Sequence, residues 1–279
     1  MPTIPYWHVD AFAARPFAGN QAAVMVLDDW LPDATLQAIG EENNFAETAF
    51  VVRDATGVAD WELRWFTPTH EVALCGHATL ASGHVLLTRD GGERVRFRTR
   101  RSGVLEVRAG PAGYELALPP NPVAPSSEPA VLAALGVAEA ACFRSLSGNR
   151  DTLIVLLADE AAVRALDPDL RALGAIEAMA ICTAPGTRTD VVSRVFAPAW
   201  GVDEDSVTGS AHAALTPFWA DRLGRPAFTA HQASRRGGDL TCRLADAGAD
   251  AESREGDAAR VWLGGKCVTV VEGRFRLPD

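Results

Sequence analysis

Two stretches of this chain repeat one another half a chain apart: CGHATLA, Cys75 to Ala81, and TGSAHAA, Thr208 to Ala214. Each sets a glycine and a polar residue at the head of an alanine-rich run that suits a helix. A turn that opens a helix in this way offers unpaired backbone N–H groups and the positive end of the helix dipole, a good site for a carboxylate or another anion. Two such turns in one chain point to a duplicated fold whose halves both hold a small acid.

The duplication extends well beyond these turns. Gly19-Asn20 leads into the apolar run Ala22 to Leu27, and Gly148-Asn149 leads into Thr152 to Leu157. Both runs read as buried strands. Leu31 to Gly40 is answered by Leu166 to Gly174, each with Pro and Asp where a helix would start and Gly where it would stop. Hairpin-like regions follow, Thr48 to Pro68 and Met179 to Pro198, ending in the same Arg-x-Phe-x-Pro. Later, Arg100 to Val107 is echoed by Arg235 to Cys242. The pairs Gly19/Gly148, Arg64/Arg194 and Gly76/Gly209 lie 129, 130 and 133 residues apart. So small a drift over six ordered landmarks sets chance punctuation aside.

The boundary falls in the proline-rich stretch Leu118 to Pro129, giving an N-terminal repeat domain, 1–119, and a C-terminal repeat domain, 120–279. The charged segment Ala245 to Arg260 reads as an exposed loop before the last strand. Two helices per repeat are too few to cover a doubly wound sheet. An α/β (α+β) fold is expected, each half a curved mixed sheet closing around one central helix that begins at the glycine turn. The active site is expected in the cleft between the halves.

With 279 residues, 48% apolar and 22% charged, the chain can bury a large core. A net charge of −10 argues against nucleic acid and anionic membrane surfaces as partners and leaves a small-molecule acid open. No apolar run has the length of a membrane span, and the start lacks the pattern of a signal peptide. The five cysteines are scattered, without CxxC or zinc-ligand spacing. A reducing, cytoplasmic setting is expected. No His/Asp/Glu cluster has metal-ligand spacing, so no metal and no cofactor are expected. Gly264-Gly265-Lys266-Cys267 lacks the rest of a phosphate-binding loop, and the Thr208 turn lacks the second glycine of a nucleophile elbow.

Among residues able to do chemistry, Glu47 stands out. It lies between Phe45-Ala46 and Thr48-Ala49-Phe50 at the start of a strand. A carboxylate part-buried there would have a raised pKa, suited to taking and returning a proton near neutral pH; the plain alternative is an edge-strand or capping glutamate facing water. His77 follows Gly76 in the first turn, and Asp205 precedes the second turn, five residues before Ser210. Plainer roles for these are a helix N-terminal cap for His77 and a turn acid for Asp205. The N–H groups around Gly76-His77 and Gly209-Ser210 would bind a carboxylate. Asn20 reads as pinning the loop beside the site, and His212 as packing or supporting it.

At these motifs the chain resembles the PhzF-like family of phenazine biosynthesis. The resemblance rests on His8 to Val24 (HVDAFAARPFAGNQAAV), Asn43 to Val51 (NNFAETAFV), Trp65 to Gly83 (WFTPTHEVALCGHATLASG) and Gly201 to His212 (GVDEDSVTGSAH). It implies a diaminopimelate-epimerase-like fold of two pseudo-symmetric domains, a homodimer, and Glu47 as general acid/base. It implies His77, Asp205 and Ser210 as substrate ligands or auxiliary proton donors, His77 and Asp205 on the catalytic side. In cofactor-independent racemases of this fold two cysteines face each other as the two bases; here the first place holds Cys75 and the second Thr208. A threonine hydroxyl is far too weak an acid to mirror a thiolate at neutral pH. The expected function is therefore a cofactor-independent isomerase, in which Glu47 shifts a proton on a small carboxylate-bearing substrate. The alternatives are a one-base racemase or lyase that uses Cys75 on an amino-acid-like substrate, and a non-catalytic binding protein of the same fold.

Overall fold

A computed structural model of the chain describes residues 2–111, 113–146, 151–245 and 259–277. They form two compact units, Met1–Ala117 with Gly264–Asp279, and Leu118–Leu263.

With elements numbered in chain order, the first unit contains β1 (Thr3–Ala11), β2 (Asn20–Val26), α1 (Asp33–Asn43), β3 (Glu47–Arg53), β4 (Trp61–Phe66), β5 (Glu71–Val72), α2 (Gly76–Asp90), β6 (Arg94–Thr99), β7 (Val104–Gly110), β8 (Gly113–Leu118) and, from the far end of the chain, β18 (Cys267–Arg276). The second contains β9 (Val123–Ser126), α3 (Pro129–Ala134), β10 (Ala141–Ser145), β11 (Thr152–Leu156), α4 (Glu160–Arg164), α5 (Leu170–Gly174), β12 (Met179–Pro185), β13 (Val191–Ala197), β14 (Val202–Asp205), α6 (Gly209–Leu223), β15 (Ala227–Gln232) and β16 (Gly238–Ala245). β17 (Arg260–Gly265) runs across the boundary.

The two units pair their strands in one pattern. In the first, β1–β2 is antiparallel, β2–β3 parallel, β3–β4 antiparallel, β4–β6 parallel and β6–β7 antiparallel. In the second, β10–β11, β11–β12, β12–β13, β13–β15 and β15–β16 repeat that order. Each parallel step needs a long crossover, and this is where the helices lie. α1, or α4 with α5, serves the first step; α2 or α6 serves the second.

α2 and α6 are the central helices. α2 is buried from Gly76 through Gly83 and again at Val85 and Leu86, and α6 is buried over most of its length. A helix wrapped on every side must be apolar or small all round, which the alanines of both turns supply. Its hydroxyls are satisfied within the helix: Ser82 Oγ donates to Ala78 O and Thr216 Oγ1 to His212 O. Gly83 lets α2 approach β7, since a Cβ there would stand 2.3 Å from the Val107 side chain.

The recurring Arg-x-Phe-x-Pro has a structural meaning. Arg64 lies 4.9 Å from the Phe66 ring and grips Glu71 with two hydrogen bonds of 2.8 Å. Arg194 lies 4.9 Å from the Phe196 ring and grips Glu204 at 2.7 and 3.1 Å. Bidentate pairs of this kind fix direction as well as distance. Each glutamate precedes its glycine turn by five residues, so the pair sets where the central helix begins. A serine completes the hold in both units: Ser102 Oγ donates to Ala73 O at 2.8 Å, and Ser234 Oγ to Ser206 O at 2.7 Å.

Several expectations change in detail. The last strand belongs with the first half, not the second, because β18 pairs antiparallel with β1 from Thr3↔Arg276 to Ala11↔Cys267. The proline-rich stretch is no free tether, since β9 within it pairs with β10. Gly40 does not stop α1, which continues to Asn43 and closes with Asn44 in the left-handed region at φ 50°. Gly40 is there for room: a Cβ would meet Thr67 O at 3.1 Å. Gly148-Asn149 and most of the segment Ala245 to Arg260 lie outside the described residues.

Candidate active site

In the first unit, three elements deliver side chains to one point. Parallel pairing of β2 with β3 sets Ala22 opposite Glu47, so the head of β2, Asn20-Gln21, lies beside the head of β3. α2 starts there as well, with Cys75 as its extended N-cap at φ −140° and ψ 116°. His77 is therefore in the first turn, and it does not act as the cap. Its imidazole Nε2 lies 3.3 Å from Glu47 Oε2, with side-chain exposures of 5% and 18%.

The ring's tautomer follows from its neighbours. Asn20 Nδ2 is 3.2 Å from His77 Nδ1. An amide nitrogen only donates, so Nδ1 accepts and the ring proton sits on Nε2. That proton faces the Gln21 carbonyl at 3.2 Å, and Glu47 Oε2 lies near the same nitrogen. Cys75 Sγ lies 3.5 Å from Nδ1, placing it at the accepting nitrogen. The half-buried carboxylate thus lies against an imidazole that is itself held by an amide and a carbonyl. Asn20 pins this arrangement, and Glu47, His77, Gly76 and Asn20 come together.

The second unit builds its turn differently. Thr208 is the N-cap of α6 and its hydroxyl donates to Asp205 Oδ2 at 2.6 Å. Gln232, fully buried at the end of β15, accepts from Thr208 N at 2.8 Å and donates to Asp205 O at 2.7 Å and Thr208 Oγ1 at 3.1 Å. It ties Asp205 and Thr208 into one rigid turn. Gly209 and Ser210 follow in the first turn of α6. The sequence reading missed Gln232; its signal was a lone amide at the end of an alternating strand, just before the serine that holds the turn. Replacing Gln232 with Leu leaves the Thr208 N–H and the Asp205 carbonyl without that partner, and is expected to cost about 2 kcal/mol of stability by urea unfolding.

The units match in fold and differ in chemistry. Ala22 opposite Glu47 in β2–β3 corresponds to Thr152 opposite Met179 in β11–β12, so the second unit carries Met179 where the first carries its acid. His77 is matched by Ser210 and Cys75 by Thr208. Thr79 Oγ1 bonds Cys75 O, and His212 Nδ1 bonds Thr208 O at 2.8 Å in the matching place. His212 accordingly supports the turn from inside the helix.

Comparison with known proteins agrees with this architecture. The family described as phenazine biosynthesis-like protein (PhzC-PhzF) matches residues 9–273. An uncharacterized isomerase of Pseudomonas aeruginosa is 46% identical, covering 98% of this chain and 99% of its own. A phenazine biosynthesis protein of the PhzF family from Enterococcus faecalis, solved by crystallography, is 39% identical with a TM-score of 0.85, covering 99% of this chain and 100% of its own. In fold alone, the chain is also similar to a hydroxyproline epimerase from Agrobacterium vitis, 12% identical with a TM-score of 0.62, over 99% of this chain and 91% of that one. Two matched units around central helices, and likeness along nearly the whole chain, lead to one conclusion: the chain belongs to the PhzF-like family of isomerases, with the epimerase-type fold.

Proposed function

We propose that the protein is a cofactor-independent isomerase that shifts a proton between carbons of a small carboxylate-bearing substrate, with Glu47 as the general acid/base. The contact of Glu47 Oε2 with His77 Nε2 at the head of a helix carries this reading. Glu47 takes a proton from a carbon activated by an adjacent carboxylate or conjugated system, then returns it elsewhere on the same face. His77, its Nε2 lying 3.3 Å from Glu47 Oε2, fixes the direction of the carboxylate by contact. The negative charge that develops on the substrate is stabilised by the free N–H groups at the start of α2, around Gly76-His77. Asp205 and Ser210 keep the role that the family resemblance implies and the N–H groups at Gly209 the anion-binding role expected of such a turn, with Gln232 and Thr208 bracing it. Homodimeric assembly, checked by sedimentation velocity, and a cytoplasmic setting belong to the same reading. No helix among the described residues is long and apolar enough to cross a membrane.

One observation favours a second reading: Cys75 Sγ lies against the accepting nitrogen of His77, where a thiol could lose its proton. A single thiol base would then serve a racemase or lyase. The two readings separate on Cys75→Ala, assayed for uptake of solvent deuterium into a panel of cyclic and amino-acid carboxylates. The Glu47 reading expects the variant to stay within about tenfold of wild type, against the roughly 10²–10⁴-fold loss that follows removal of an acid/base. A loss of that larger size in Cys75→Ala would move the base to the thiol. No uptake by wild-type protein into any carboxylate would remove carboxylates as the substrate class.

A further inference from the structure

We propose that Glu47, Cys75 and His77 form a binding site for a borderline-soft divalent cation such as Zn²⁺, which silences the acid/base centre when it binds. Spacing along the chain does not reveal this set, because Glu47 enters from β3 while the other two lie at the head of α2. In the folded unit, one donor atom from each residue lies within 4.8 Å of the other two. The set is one thiol, one imidazole and one carboxylate, the mixed S/N/O chemistry that suits Zn²⁺ or Co²⁺ rather than Mg²⁺ or Ca²⁺.

The geometry is close to what such an ion requires. With Zn–S of about 2.3 Å and Zn–N of about 2.0–2.1 Å, the N···S edge of a tetrahedron is about 3.6 Å. The Cys75 Sγ to His77 Nδ1 separation is 3.5 Å. An ion on Nδ1 takes over the lone pair that accepts from Asn20 Nδ2 and displaces that amide, while Nε2–H keeps the Gln21 carbonyl at 3.2 Å. A metal-bound imidazole takes this same arrangement, one nitrogen on the ion and the other donating to a carbonyl. A Glu47 oxygen lies within 4.8 Å of the other two donors, near enough to supply the third corner, and the fourth is left for water. The ion replaces the thiol proton, so binding releases about one proton to solvent and tightens as pH rises. Once its carboxylate is a ligand, Glu47 no longer exchanges a proton with carbon.

Binding stands on the geometry alone; inhibition rests also on the acid/base reading, and the two are measured separately. Titration of the full chain with Co²⁺ is expected to give one ion per chain with a thiolate-to-cobalt charge-transfer band, displaced by Zn²⁺. Cys75→Ser should abolish the band. His77→Gln should weaken binding by more than the 10–100-fold typical of losing a supporting partner. In wild-type protein, Zn²⁺ is expected to slow alkylation of Cys75, mapped by mass spectrometry, and a chelator to restore the rate. No band, a band unchanged in Cys75→Ser, or a Cys75 alkylated equally fast with and without Zn²⁺ would overturn the site. If the Cys75→Ser chain fails to fold, the alkylation result in wild type decides. Zn²⁺ binding that leaves deuterium uptake intact would keep the site and sink the role of Glu47.

Discussion

Glu47→Gln is expected to lower kcat by about 10²–10⁴-fold, the range a positioned acid/base supplies, with KM within a few-fold of wild type. The substitution keeps the size and shape of the side chain, so the contact with His77 at 3.3 Å survives. What it removes is the ability to carry a proton. Loss confined to kcat places Glu47 in the chemical step rather than in substrate binding. Circular dichroism and urea unfolding should match wild type, since Glu47 opens β3 and packs no core. If kcat/KM fell while kcat held, Glu47 would be a binding residue and the proton would travel elsewhere.

Acid is expected to destabilise this fold earlier than its carboxylates alone would. His212 is fully enclosed in α6, and burial pulls its pKa from the ordinary 6.5 down to about 4. Its Nδ1–H donates to Thr208 O, and the opposite nitrogen is buried with no hydrogen-bond partner among the described residues. Charging the ring inside the helix core is therefore costly. The unfolded chain takes up the proton first as pH falls, so stability is complete above about pH 6.5 and declines between 6.5 and about 4. A difference of that size corresponds to about 3 kcal/mol. Carboxylates held low by hydrogen bonds, such as Glu160 at about 2, contribute their losses below the ordinary carboxylate range instead. His84, whose pKa burial also lowers, shares the upper window, so the difference between variants isolates His212. His212→Thr installs the residue that the first unit carries at the matching place, where Thr79 bonds the N-cap carbonyl with its hydroxyl. The variant is expected to lose stability at pH 7 through the smaller side chain, and to show a flatter decline from pH 6.5 to 4.5 in urea unfolding. An unchanged slope would mean that His212 is protonated within the folded state.

The duplication was legible because its punctuation is chemical. Glycine at a helix head, Arg-x-Phe-x-Pro at a strand end and alanine-rich central helices each have a steric or hydrogen-bonding cause that recurs in both units. The return of β18 to β1 was not legible, since register between strands over 250 residues apart depends on packing that no local pattern encodes. Gly40 was misread because a glycine inside a helix and one that ends it look alike until the neighbouring strand is seen. The Glu47–His77 pairing was approachable from residue type and family resemblance, but its geometry required the parallel register of β2 with β3. The role of Gln232 required the return of β15 beside the second turn.

The most direct test follows the hydrogen itself. Wild-type protein and Glu47→Gln are held in heavy water with whichever carboxylate takes up deuterium, and carbon-bound label is followed by NMR. The account predicts rapid labelling by wild type and labelling slowed by at least about 100-fold in Glu47→Gln. Labelling by Glu47→Gln at the wild-type rate would contradict it.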